Sequence, residues 1–152
     1  MPEPRWLTEE EMRAWLGYRR MRNLMDLQIN RDLAADSGLS EQDYDVLSHL
    51  SELPGGRMRA NELGARLRWS RSRLSHHLTR MEQRGLIARH EVPGDARGAV
   101  AALTDAGEAA IRSAAPAHAA SVREHLIDLL TPQEVRTLGD IAEKVLDRLD
   151  PG

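Results

Sequence analysis

From Glu9 to Ala35 the chain runs without proline and with Gly17 as its single glycine. About 27 residues in one helix would span roughly 40 Å. The start is marked by Thr8 and Glu11, spaced as a capping box, with Leu7 and Met12 at the two ends of a hydrophobic staple. Two apolar rows follow, one through Met12, Leu16, Leu24 and Leu27, the other through Trp15, Tyr18, Met25, Ile29 and Leu33. A helix this long, apolar on more than one side, has more surface than a chain of 152 residues can cover. A partner chain is the natural cover, so the first expectation is an oligomer built on long helices.

Shorter elements follow. Ser40 is placed to cap a second helix from about Glu41, with Tyr44, Leu47 and Leu50 on its inner face. "PGGRM" reads as a break, and "RANELGARL" as a short helix with Leu63 and Leu67 one turn apart. Trp69 ends that helix, as a structural wedge at the corner. Ser70 is a suitable N-cap for the next, which runs to Gly85, a C-terminal cap. "LIARHEV", "PGDARG" and "AVAAL" read as strand, turn and strand. Thr104 caps another long helix from Asp105, in which Pro116 predicts a kink or a restart. Thr131, Pro132 and Glu134 open the last helix with a second capping box, stapled by Leu130 and Val135.

The pattern predicts a mainly α protein with a small β-hairpin wing. A winged helix-turn-helix over residues 37–103 would be carried by helical, dimerising regions at 1–36 and 104–152. In that motif the second helix enters the major groove of duplex DNA while the hairpin reaches the minor groove.

Several function classes drop out. With no cysteine, disulfides, thiolate zinc sites and a cysteine nucleophile are excluded. No run approaches the roughly 18 apolar residues needed to span a bilayer. The opening "MPEPRWLTEEEM" has no apolar core, so a cytoplasmic protein is expected. There is no nucleophile elbow, phosphate-cradling glycine loop or metal spacing, so neither an enzyme nor a cofactor or metal is expected. Glu10 and Glu11 sit in a first helical turn, where the helix dipole accounts for them. The adjacent His76 and His77 point about 100° apart on a helix, which does not suit one ion. His118 and His125 are two turns apart, roughly 10 Å, and read as ordinary surface or interface residues.

Charge is distributed unevenly. Residues 57–97 hold ten arginines against Glu62, Glu82, Glu91 and Asp95, a balance of +6, while the remainder holds 11 basic and 20 acidic residues, a balance of −9, giving −3 in all. That asymmetry is the electrostatic footprint of a nucleic-acid reader, with a merely solvated face as the plainer alternative. On the helix after Ser70, Leu74, Leu78 and Met81 share one side, while Ser72, Arg73, Ser75, His76, Thr79 and Arg80 occupy the others. Small hydroxyls allow close approach to phosphate, and Arg73 and Arg80 can fork onto guanine or phosphate. His76 can meet a base edge or, if protonated, a phosphate.

The stretch "LSELPGGRMRANELGARLRWSRSRLSHHLTRMEQRGLIARHEVPGDARGAVAALTDAG" resembles the DNA-binding region of the MarR family, the multiple-antibiotic-resistance-type regulators. "GDARGAVAALTDAG" is similar to that family's wing signature, and the flanking helices match its dimerisation region. The resemblance implies a recognition helix over Ser70, Arg71, Ser72, Arg73, Ser75, His76, Thr79 and Arg80. It implies a wing Arg97 in the minor groove, oriented by Asp95, with a turn-stabilising ion pair as the plainer reading of the two. The family often carries Thr and Arg where this chain has Arg73 and His76, so base preference does not carry over.

The resemblance further implies a homodimer, more often a repressor, on a pseudo-palindromic operator with half-sites about one helical turn, roughly 34 Å, apart. A small aromatic or anionic effector would bind the cleft between dimerisation helices and winged domain. Trp15, Tyr18 and Arg22 are candidates for lining it, with plain packing as their other reading. The alternative of a different class is a winged-helix protein-interaction module without operator binding, which would have no need of groove-reaching arginines at 73, 80 and 97.

Overall fold

The computed structural model describes residues 1–94 and 98–150. Helix α1 spans Glu9–Ser37, and its capping box is formed as its spacing predicts: the Glu11 N–H donates to Thr8 Oγ1 and the Thr8 N–H to Glu11 Oε2. Gly38 ends α1 in the left-handed region at φ +71° and donates its N–H to Ala34 O, a geometry costly to residues with a Cβ. Helix α2, Glu41–Ser51, starts with a reciprocal bond pair between Ser40 and Asp43.

The segment that reads as a break is part of a sheet. A turn of 3-10 helix at Pro54–Gly56 leads into strand β1, Arg57–Arg59. Strands β2, Ile87–His90, and β3, Val100–Leu103, complete an antiparallel sheet of order β1-β3-β2, with Arg57 opposite Ala102 and Ile87 opposite Leu103. The wing hairpin thus gains a third strand. Three residues are too few to display an alternation; β1 exists because β3 offers an edge to pair with.

Between the strands lie α3, Ala60–Leu67, and α4, Arg71–Gln83. Their corner is tight. Arg68 adopts φ +60° and the Trp69 N–H donates to Gly64 O. Helix α4 closes on Gly85, at φ +77°, with the Leu86 N–H donating back to Met81 O, the Schellman arrangement. The core is where α2, α3, α4, the sheet and α5 meet: Leu47, Leu50, Leu63, Leu78, Met81 and Ile87 are fully buried.

Helix α5 runs unbroken over Asp105–His125, with Pro116 inside it. Proline removes one hydrogen bond, but Pro116 is exposed while Ile111, Ala114 and Ser121 on the same helix are buried. Packing on α1 and α2 carries the helix through the defect. His125 is engaged across that contact: its Nε2 lies 3.1 Å from Asp32 Oδ2, which also accepts from Ser121 Oγ. Hydrogen bonds from Ser121 and Gln28 hold the Asp32 carboxyl below its usual range. The His118 ring packs against Tyr44 with centres 4.2 Å apart and planes tilted by 40°.

Helix α6, Pro132–Leu149, begins with the capping box of Thr131 and Glu134 and buries none of its residues within the chain. Exposed apolar side chains concentrate on the two terminal helices: Met12, Leu16, Leu24 and Leu27 on α1, and Ile141, Val145, Leu146 and Leu149 on α6. No helix of the described residues is long and apolar enough to cross a membrane.

Candidate nucleic-acid interface

Helix α4 is presented by its two ends. Ser70 Oγ accepts the Arg73 N–H at 3.1 Å, which fixes the first turn. That turn holds no carboxylate, whereas α1, α2, α3, α5 and α6 each carry at least one. The positive end of the α4 dipole is therefore not offset by its own side chains, and an external anion is favoured there.

Leu74, Leu78 and Met81 are buried, as their spacing predicts, and His77 is buried with them. Ser70, Arg71, Ser72, Arg73, Ser75, His76 and Arg80 are exposed and Thr79 is half-buried. At 100° per residue, Ser72, His76 and Thr79 stand opposite the core. Arg71 and Ser75 lie toward the sheet, and Arg73 and Arg80 toward α2. The structure thus gathers these residues on one helix surface. Asp95 and Arg97 lie outside the described residues.

Each flank of α4 is braced differently. On the sheet side, Arg89 of β2 donates to Thr79 Oγ1 at 2.8 Å and to Glu82 Oε1 at 3.1 Å, and its N–H reaches Glu82 Oε2 at 3.0 Å. These bonds, the backbone N–H first, keep the Glu82 carboxyl below its usual range. The Thr79 hydroxyl donates to Ser75 O, so its oxygen is shared between the helix and the first wing strand. An open recess of about 600 Å³ on this flank is walled in part by Asn61, Arg71, Ser75 and Arg89.

On the other flank, His77 Nε2 meets Asp43 Oδ1 at 2.9 Å. Asp43 Oδ2 accepts from Arg84 Nη1 at 2.7 Å and from the Ser40 N–H at 3.0 Å. Arg84 also donates to Gly38 O. Burial alone would raise the Asp43 carboxyl, but the bonds from His77, Ser40 and Arg84 outweigh it and hold the group far below the ordinary carboxylate range. No local sequence pattern signals this network. Asp43 is recognisable as the third residue of a capping box, but its burial depends on α4 packing over it. A second recess, about 740 Å³, opens here beside Asn30, Gly38, Asp43, Arg73, Arg80 and Arg84.

Trp15, Tyr18 and Arg22 stand on an open face of α1, the two rings 6.1 Å apart and each 48% accessible, with the Arg22 guanidinium 5.5 Å from the Tyr18 ring centre. Among the described residues no group of three or more His, Asp or Glu side chains is arranged to hold a metal ion.

A short helix, a tight corner, a longer helix with an exposed polar surface and an antiparallel sheet returning beside it define a winged helix-turn-helix. A family model described as the MarR family matches residues 37–98. Two solved structures are similar over almost the whole chain. AbsC, a MarR family transcriptional regulator from Streptomyces coelicolor, is 39% identical at a TM-score of 0.91, over 98% of this chain and 100% of that one. Sco3205, a MarR family transcriptional regulator from the same organism solved in complex with DNA, is 39% identical at 0.93, over 100% and 95%. The PcaV transcriptional regulator of Streptomyces coelicolor, solved with its natural ligand, shares the fold at a TM-score of 0.78 and 23% identity, over 95% of this chain and 99% of that one. A search of curated protein sequences finds no match. The chain belongs to the MarR family of transcriptional regulators.

Proposed function

We propose that this regulator acts as a homodimer that binds a pseudo-palindromic operator in duplex DNA and represses transcription. The observation that carries the reading is the surface of α4: exposed hydroxyls and arginines on a helix whose first turn lacks any carboxylate. Ser70, Arg71, Ser72 and Ser75 approach the phosphates, while Arg73, His76, Thr79 and Arg80 face base edges or the adjoining backbone. Arg97, oriented by Asp95, enters the minor groove. Support for DNA as the partner comes from Sco3205, whose structure holds DNA.

The dimer is formed by residues 1–36 and 104–152, whose exposed leucines and methionines on α1 and Ile141, Val145, Leu146 and Leu149 on α6 cover one another across two chains. A small aromatic or anionic effector modulates operator affinity by binding preferentially to dimers whose recognition helices are wrongly spaced for DNA. Trp15, Tyr18 and Arg22 are the proposed contacts, and the ligand-bound PcaV structure supports an effector of some kind.

The test is footprinting of the purified protein on the DNA upstream of its own gene, followed by anisotropy titration of the protected duplex. The reading expects a symmetric footprint and an affinity that falls steeply with salt. Binding at the level of unrelated duplex would reject it in favour of a protein-docking module.

A further inference from the structure

We propose that Trp69 and His77 are positioning residues for DNA recognition, holding the guanidinium groups of Arg73 and Arg80 ready on the surface of α4. The inference rests on the reading of α4 as the recognition helix, and goes beyond it by assigning a role to two residues that need not touch DNA.

The geometry is a ladder along one flank of the helix. The Arg73 guanidinium carbon lies 4.4 Å from the Trp69 ring centre. The His77 ring meets Trp69 edge-on, with centroids 5.4 Å apart and planes at 78°. Arg80 Nη2 lies 3.2 Å from His77 Nδ1. Residues 73, 77, 80 and 84 recur at helical spacing on this flank. Trp69 packs against the core and His77 is buried, so both platforms are fixed.

Hydrogen-bond chemistry settles the His77 tautomer. Arginine can only donate, so Nδ1 must accept from Arg80; the proton then resides on Nε2 and is donated to Asp43 Oδ1. A neutral imidazole is thus keyed from both sides, Asp43 behind and Arg80 in front. Asp43 is itself held by Arg84 and the Ser40 N–H, which leaves the ring little freedom to turn.

Long arginine side chains lose rotamer freedom when they engage a base or phosphate, and restricting them beforehand lowers that cost. The Trp69 face does this for Arg73 by cation–π attraction, and the His77 acceptor does it for Arg80. Each platform is expected to contribute about 2- to 10-fold in operator affinity.

The experiment is a pair of double-mutant cycles on the full-length dimer, titrating the footprinted duplex by anisotropy and recording a thermal melt of each variant at one protomer concentration. His77→Leu should weaken binding by about 2- to 10-fold with Arg80 present and cause no further loss in an Arg80→Ala background. His77→Gln should restore affinity, because its Nε2 donates to Asp43 while its Oε1 accepts from Arg80. Trp69→Leu should behave likewise with Arg73→Ala, a leg that leaves the Asp43 network intact should His77→Leu fold poorly.

Equal losses in both backgrounds, or failure of glutamine to rescue a folded His77→Leu protein, would overturn the positioning role while leaving α4 as the recognition helix. Unchanged operator affinity in both Arg73→Ala and Arg80→Ala would instead remove the reading of α4 on which the inference rests.

Discussion

Asp43→Ala tests how firmly α4 is seated. The carboxylate is 3% exposed and accepts from the Ser40 N–H at 3.0 Å, His77 Nε2 at 2.9 Å and Arg84 Nη1 at 2.7 Å. Losing its half of the α2 capping box costs about 1 kcal/mol. The buried His77 Nε2–H, with Nδ1 already occupied, is left without an acceptor at a cost of about 1–3 kcal/mol. The Arg84 side chain is 44% exposed and can turn to water, so its share is small, about 0–1 kcal/mol. The adjoining recess lets water reach the site, which favours the lower half of the sum. The three contributions sum to about 2–5 kcal/mol, so the expected loss is about 2–3.5 kcal/mol.

It is measured by urea unfolding at fixed protomer concentration, since dimerisation would make apparent stability concentration-dependent. Acid supplies a second, independent check. The folded carboxyl lies below its unfolded value of about 3.9, so its contribution is complete above that pH and fades as pH falls through and below it. The gap between native protein and variant should therefore be widest near neutrality and narrow below about pH 4. A neutral-pH difference under about 1 kcal/mol, or a gap indifferent to acid, refutes the reasoning.

Gly107→Ala reverses the usual helix preference. A Cβ there would meet Leu86 O at 2.0 Å and Leu103 Cδ2 at 3.2 Å, so a loss of about 2 kcal/mol or more is expected where alanine ordinarily gains about 1; an unchanged or higher melting temperature would contradict it. Arg97→Ala should weaken operator binding by about 1–3 kcal/mol, read by anisotropy, and an unaltered dissociation constant at matched salt discards its minor-groove role. Sedimentation at micromolar concentration should show a dimer that Leu24→Glu or Val145→Glu weakens; a single folded 17.0 kDa species for the native chain would end the dimer proposal.

Local chemistry is what the sequence displays most clearly. Thr8, Ser40, Ser70, Thr104 and Thr131 all cap helices in the structure, each accepting from an N–H three residues on, because a cap needs only its own turn. The outward row of α4 was legible for the same reason: helical periodicity separates Leu74, Leu78 and Met81 from Ser72, Ser75 and His76. What escaped depends on partners distant in the chain. Strand β1 needs β3, some 43 residues away by its Arg57–Ala102 and Arg59–Val100 pairings (differences of 45 and 41). Pro116 is tolerated because α1 and α2 hold α5 from outside its own hydrogen-bond ladder. His77, beside His76 in sequence, is buried because Asp43, 34 residues earlier, supplies an acceptor.

The same long-range contacts decide which parts of the protein move together. Arg84, at the end of α4, donates both to Asp43 on α2 and to Gly38 O, the residue that terminates α1. Asn30 of α1 accepts the Glu41 N–H at 2.9 Å and donates to the Glu41 carboxylate at 3.2 Å, so the start of α2 is tied to α1 as well. The C-terminal turns of α1, the first turn of α2 and the last turn of α4 are therefore joined by side-chain bonds as well as by packing. Separating α2 from α4 would expose the Asp43 carboxylate and the His77 ring, so these two helices are the most firmly joined, and α1 is tied to them through Asn30 and through the Arg84 bond to Gly38 O. If α1 forms a dimer seam and an effector binds there, the side-chain bonds from α1 through α2 to α4 offer a route by which it would act on α4, and its effect on DNA affinity would be limited by the ligand's preference between the two helix spacings.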